Sequence, residues 1–546
     1  MKISFCEKVW QNESAELYFF ENGRETGARR VFSPHALLGL TLVLPRSLGT
    51  RVASLALLSE QGEPVLHLPL SFVEWEGERE AYAALVDDVP SAAMPLSYLS
   101  LTVECAYGKL FCVPGTDGRI GFSAYPSPRS HIPLLFLEET EQSSPLAGGS
   151  LYCLPLAYAS LLDATGAEEL VSSLSSLGVR CVYLCPSSRE GADGEGEDPS
   201  TPLPSAFMRA AKEREICLLG DFLLLCGVTE HPDLLFGGFC SPSSQNAPVE
   251  QEPRPAFWNA PLAAYNEKPL SLVECCGEEG TIAAALRVGY DGMVVRAADC
   301  FGDAFLSAMQ RSLQGSKNPV LLGGTETGSV AIAFGTRRRF FFGNELDAPL
   351  SYTLRNALLD YFLDGDTRSL AAYVHNTLAT MPPATLVCLP NLLSDGAVGL
   401  FYDALSPLGE TAGDFAAMAY LVAATLPGVP AYYAGEEESA WENGAALLRR
   451  VALLRKKEST YAHGDFSLLH LSPTLLVFSR RGEGESLFTV INSCEEPLTL
   501  SSPDGFFVVF GGRGRKQSFT VRPRTGIVVK IPLWENESCR LHFSHT

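Results

Sequence analysis

The feature that most constrains the fold is a repeated alternation of helix-like and strand-like segments that begins near Leu151. Thr165, Gly166, Ala167 and Glu168 carry a reciprocal capping pattern, in which the threonine oxygen and a glutamate three residues on satisfy free amides at a helix start. Leu170, Leu174 and Leu177 then share a face, Gly178 can close the helix in the left-handed region, and 179–184 is short and apolar. The same order recurs at 206–214 before 216–225, 280–288 before 292–295, 304–313 before 320–322, and 370–378 before 385–389. Strands apolar on both faces and separated by helices predict a parallel sheet, and this many repeats predict its closure into a barrel.

The flanks read differently. Residues 1–138 alternate apolar and polar positions between Gly, Pro and Asp turns, as in SYLSLTVECAYGKLFCV (97–113), and predict a β-sandwich. The stretch 140–150, TEQSSPLAGGS, reads as a flexible linker. Alternation returns in 475–481, 486–492, 506–510 and 526–532, which predicts a second, C-terminal β domain. The expected domains are therefore 1–140, 150–456 and 457–546, with polar excursions from the barrel at 187–202 and at about 227–270.

Composition excludes several classes of function. A net charge of −22 with no Lys/Arg stripe repels phosphate backbones and anionic lipid, so neither nucleic acid nor membrane is an expected partner. No apolar run reaches the roughly 20 residues that cross a bilayer, and 1–20 lacks a basic region followed by an apolar one. The 15 cysteines sit mostly in apolar stretches without zinc-ligand spacing, and the nine histidines form no ligand cluster. Buried, reduced thiols in a cytoplasmic protein that binds no metal and no cofactor are the expectation. Trp75, Trp258 and Trp441 are more simply packing residues than sugar platforms.

The segment DFAAMAYLVAATLPGVPAYYAGEE (414–437) resembles the helix, proline turn and strand near the end of the barrel in glycoside hydrolase family 13, the α-amylase superfamily. GVRCVYLCP (178–186) looks like that family's first barrel strand, GYDGMVVR (289–296) like its fourth, and LSYTLRNALLDYFLDG (350–365) like the helical segment after its fifth. The order sandwich, barrel, β domain is similar to the neopullulanase, cyclomaltodextrinase and maltogenic amylase branch. The resemblance implies an α/β chain with a central (β/α)8 TIM barrel between an N-terminal β-sandwich and a C-terminal antiparallel β-sandwich domain. It also implies action on α-glucans or maltooligosaccharides, and dimerisation through the N-terminal domain.

The chemistry does not carry over with the fold. The family's nucleophilic aspartate ends an Arg-x-Asp pattern on the fourth strand, and here those two positions are Val294 and Arg296. A guanidinium stays protonated and has no lone pair with which to attack an anomeric carbon. The general acid position after Gly324 is Thr325, whose hydroxyl releases no proton near neutral pH. The seventh-strand His-Asp position holds Gly396 and Ala397, and the third-strand pattern keeps Asp221 but replaces its Asn-His with Leu225 and Cys226.

Displaced carboxylates nearby are Glu326, Asp299 and Asp395. A one-residue slip along a strand turns a side chain to the other face, and retaining hydrolysis needs two carboxyls about 5 to 5.5 Å apart. Asp221 and Arg296 should project to one barrel mouth as an ion pair, with Glu326 a candidate third member. The leading expectation is a pseudoenzyme of carbohydrate metabolism, acting as a carbohydrate-binding or partner subunit. The alternatives are an active α-glucan hydrolase or transglycosylase using displaced carboxylates, and a structural or interaction protein without sugar affinity.

Overall fold

The computed structural model describes residues 14–114, 120–126, 131–138, 144–185, 205–222, 276–296, 298, 303–325, 332–333, 336–337, 340, 345–395, 398–436, 444–532 and 542–545. The chain divides into two compact units. The first comprises Met1–Thr140, Thr367–Pro383 and Asp465–Leu471; the second comprises Glu141–Asp366, Ala384–Gly464 and Ser472–Thr546.

The first unit is a β-sandwich of eleven strands, antiparallel but for one pair. In strand Leu96–Cys105 the residues Leu99, Leu101, Val103 and Cys105 point into the core and alternate with more exposed ones, the period-two pattern of a half-buried strand. The long strand Pro64–Glu76 pairs with Val52–Leu58 through its first half and with Arg79–Val86 through its second. Residues 370–378 require a correction: Arg368–Ala372 is a short helix that widens through Tyr373–Thr377, and it belongs to this unit rather than to the barrel.

The second unit contains a parallel sheet of eight strands, numbered here as barrel strands: β1 (Ser150–Pro155), β2 (Val179–Cys185), β3 (Cys217–Phe222), β4 (Gly292–Val295), β5 (Val320–Gly324), β6 (Ala348–Leu350), β7 (Pro390–Leu392) and β8 (Val429–Tyr433). Their order across the sheet is β6-β5-β4-β3-β2-β1-β8-β7, which wraps into a near-closed (β/α)8 barrel. The interior is packed with side chains at every second position, among them Leu151, Cys153, Cys181, Tyr183, Cys217, Leu219, Val294, Leu322 and Ala431. An antiparallel β domain follows in the sequence, with Leu475–Arg481, Glu485–Asn492, Thr525–Pro532, Leu498–Phe510 and Gly514–Val521 side by side.

This order corrects several expectations. Val179–Cys185 is the second barrel strand, not the first, because β1 precedes it, starting at Ser150, the last residue of the stretch read as a linker. Leu146 is fully buried in the barrel core and Ser150 already pairs with Val179. The helix Thr353–Asp364 follows the sixth strand, not the fifth. Residues 385–389 are not a strand: Pro383 opens a helical turn, Pro383–Leu386, and the strand is the short Pro390–Leu392. The cap of helix Ala164–Ser176 is Asp163, whose Oδ1 accepts from the Gly166 N–H at 2.7 Å, two residues ahead of Thr165. Its buried stripe is Ala167, Val171, Leu174 and Leu177, and Gly178 (φ 73°) does close it in the left-handed region.

The turn from helix Ala412–Thr425 into β8 is fastened by two side chains. Asn391, fully buried, donates through Nδ2 to the carbonyls of Ala423 (2.7 Å) and Pro427 (3.0 Å). Arg455 donates to Ala424 O (2.6 Å) and Gly428 O (2.8 Å), placing a cation at the negative end of the helix. Burial pulls that guanidinium down to about 10. Gly428 has φ 100°, and a Cβ there would stand 2.3 Å from Leu389 O, so no other residue fits.

Asp347, at the approach to β6, accepts from the Leu321 N–H at 2.7 Å, and burial raises its pKa to about 6 despite that bond. Its folded pKa lies above the unfolded value, so the stability it contributes is fully present below about pH 4 and is lost as pH rises through about 6. We expect Asp347→Asn, which keeps the acceptor, to remove about 3 kcal/mol of that pH dependence. Urea unfolding of both proteins between pH 4 and 7 checks this; parallel curves would refute it.

Candidate functional site

The C-terminal ends of barrel strands are where side chains converge on the mouth. On β3, Cys217 and Leu219 face the interior, and period-two alternation carries Asp221 to the same side. On β4, Val294 faces the interior and Arg296 follows it two residues on, just past the strand end. The β3–β4 ladder pairs Asp221 with Val294, and the Arg296 N–H extends it with a 3.0 Å bond to Phe222 O. Gly292 sets this approach, since a Cβ there would lie 2.1 Å from Val320 O on β5.

Asp221 and Arg296 form an ion pair, Oδ2 to Nη2 2.7 Å, with side chains 8% and 13% exposed. The other carboxylate oxygen, Oδ1, accepts from the Tyr183 hydroxyl on β2 at 2.6 Å. Burial raises the Asp221 pKa, and Arg296 and Tyr183 offset this only in part. Burial alone would pull Arg296 down, but Asp221 more than compensates and holds it above an ordinary arginine. Tyr183 is pushed well above the usual phenol range by burial and then by Asp221, so it stays a neutral donor.

Thr325 is buried beyond β5, with its N–H bonded to Leu350 O at 3.3 Å. Asp395, just past β7, accepts from the Val398 N–H at 2.9 Å and from the Tyr352 hydroxyl. Arg355 is 8% exposed, donates to Val398 O at 3.3 Å, and feels burial first and Asp395 second. Glu436, past β8, is 2% exposed and accepts from the Tyr420 hydroxyl and from the Tyr433 N–H at 3.0 Å. Cys153, in the interior between these groups, is raised by burial and further by Cys185, Asp395 and Glu436.

Of the sequence-derived positions, Asp221 and Arg296 meet directly, while Asp395 is held by Tyr352 and Val398 N–H. Ala397, Glu326 and Asp299 lie outside the described residues. Sequence reading missed Tyr183, Tyr352, Arg355, Tyr420 and Glu436. Period-two alternation on β2 was the one available signal for Tyr183. The described carboxylates at the ends of β3, β7 and β8 share one arrangement, a tyrosine hydroxyl plus a second donor on each. Among the described residues no three His, Cys, Asp or Glu side chains are grouped as a metal would require, and no helix is long and apolar enough to cross a membrane. The described cysteines are free, and seven of them are buried: Cys105, Cys112, Cys153, Cys181, Cys185, Cys217 and Cys388.

The architecture defines an α/β protein built on a (β/α)8 barrel, with an N-terminal β-sandwich and a C-terminal antiparallel β domain. No family model matches the chain and no curated protein does. Among solved structures it is similar to a cyclomaltodextrinase, at 15% identity over 94% of this chain and 99% of that one, TM-score 0.55. It is also similar to the type III pullulan hydrolase from Thermococcus kodakarensis, at 15% identity over 92% and 98%, TM-score 0.51. An Anoxybacillus alpha-amylase matches at 13% identity over 72% of this chain and all of that one, TM-score 0.53. At such identities the likeness is one of fold.

Removing one partner of a buried ion pair leaves an uncompensated charge, which costs about 3–5 kcal/mol. We expect Arg296→Met to destabilise by about that much and Asp221→Asn with Arg296→Met to recover most of it. Urea titrations of the two single variants and the double variant measure the coupling; additive losses would mean that the pair contributes nothing.

Proposed function

We propose that this chain is a member of the α-amylase superfamily, on the neopullulanase, cyclomaltodextrinase and maltogenic amylase branch, in which glycosidic hydrolysis has been lost. Its role is that of a pseudoenzyme of cytoplasmic α-glucan metabolism, binding maltooligosaccharide or serving as a partner subunit, with homodimerisation through the N-terminal sandwich. The observation that carries this reading is the ion pair of Arg296 and Asp221. A guanidinium occupies the position from which, by the resemblance, a carboxylate would attack the sugar. The neighbouring carboxylate that could substitute already has one oxygen on that guanidinium and the other on Tyr183.

A hydrolase needs one free carboxylate as nucleophile or base and a second group able to release a proton. Asp221, Asp395 and Glu436 instead serve as acceptors for fixed donors, and Thr325 is no acid. Each of these carboxylates is already oriented by its donors. The fold likeness to enzymes whose names include cyclomaltodextrinase and pullulan hydrolase supports the ligand class proposed here.

Incubation with maltooligosaccharides, cyclodextrins and pullulan, followed by reducing-end detection, should give no turnover above a boiled control. Turnover that disappears in Glu326→Gln would establish a displaced-carboxylate hydrolase and overturn the reading. Calorimetry with maltooligosaccharides should show saturable heat; its absence at millimolar sugar would leave a protein without sugar affinity.

A further inference from the structure

The C-terminal β domain carries a concentration of positive charge that the rest of this acidic chain does not prepare for. Between 511 and 525 stand Arg513, Arg515, Lys516, Arg522 and Arg524, with no acidic residue among them, in a chain of net charge −22. They surround strand Gly514–Val521, which among the described residues pairs on one side only, with Leu498–Phe510. Arg513, Arg515, Lys516 and Arg522 are exposed, as is nearly the whole strand up to Val521. Opposite Arg515, Phe507 is 39% exposed. At the end of the run Arg524 already holds a carboxylate, that of Glu495.

Charges on an edge strand often do no more than prevent edge-to-edge aggregation, and lysine is the usual device. Four of the five cations here are arginines. Arginine's planar fork binds carboxylate through two parallel N–H donors, which suits recognition better than simple repulsion. An edge also offers alternate backbone N–H and C=O groups, a template that a peptide can extend and that a nucleic acid cannot. The Debye length in physiological salt is about 8 Å, so an approaching segment senses these local cations rather than the distant net charge.

We propose that strand Gly514–Val521 is a docking edge for an extended acidic peptide segment of a partner protein. The segment adds as a further strand, with carboxylates on both of its faces for Arg513, Lys516 and Arg522. This is independent of sugar binding at the barrel and of whether the barrel hydrolyses anything.

The test is fluorescence anisotropy on the full chain with a short labelled peptide in which glutamate pairs are separated by valine and threonine, so that both faces of an added strand carry carboxylates. We expect saturable binding that weakens about tenfold between roughly 50 and 500 mM salt, because screening acts on exposed pairs. Lys516→Glu with Arg522→Glu should weaken it by about tenfold or more, with an unchanged circular dichroism spectrum. A peptide of equal charge interrupted by prolines, which lack the N–H a ladder needs, should lose most of the affinity. If the double variant does not fold, the salt and proline arms on the unaltered protein still decide. No binding at millimolar peptide, equal binding of the proline peptide, or preference for a DNA oligonucleotide of equal charge would each overturn the proposal.

Discussion

The organisation of the barrel mouth depends on one buried ion pair. Taking a carboxylate and a guanidinium out of water costs several kcal/mol per ion, and their attraction repays it only where the remaining lone pairs are also satisfied. Asp221 meets that condition because β2 supplies Tyr183 to its second oxygen while β4 supplies Arg296 to its first. Three adjacent strands are thereby joined by side chains beyond the point where backbone pairing ends. The arrangement also resists simple reversal. An aspartate at 296 would stand beside Asp221 in a site of low dielectric, and two such carboxylates cannot both ionise.

The tyrosines extend the same principle around the mouth. Tyr183 and Tyr420 are each driven well above the ordinary phenol range by burial and by the carboxylate they face, so they remain protonated donors. A carboxylate that accepts from a fixed neutral donor is held in one orientation and has less freedom to act as base or nucleophile. Among the described residues, Asp395 and Glu436 therefore act as anchors just past β7 and β8. Asp395 ties Tyr352 to the turn at Val398, and Glu436 ties Tyr420 to the end of β8.

How much of this could be read beforehand follows from the range of the interactions. The position of Arg296 needed only local information: a glycine turn, a short apolar strand and period two from Val294. The pairing with Asp221 needed the order of two neighbouring strands, which the helix and strand alternation supplies. Tyr352 and Tyr420 come from helices and strand ends far away in sequence, and nothing local marks them. Two errors have definite causes. β1 is hidden because it begins at Ser150, the last residue of the Ser- and Gly-containing stretch 140–150, so 179–184 reads as the first strand. Residues 385–389 look apolar enough for a strand, but Pro382 and Pro383 start a helical turn and only three residues remain for β7.

The segment most legible by resemblance is the one whose residues answer to closure of the barrel rather than to chemistry. The proline turn into β8 needs Gly428, because any Cβ would strike Leu389 O, and it needs carbonyls placed for Asn391 and Arg455. Those requirements hold whether or not a sugar ever reacts, since losing them would open the sheet between β7 and β8. A nucleophile at 296 or an acid at 325 has no such structural partner to protect it. At a buried strand end, packing favours groups that satisfy one another, and a guanidinium that meets Asp221 is one such solution. Different atoms carry the closure of the barrel and the chemistry at its mouth, so the two can vary independently.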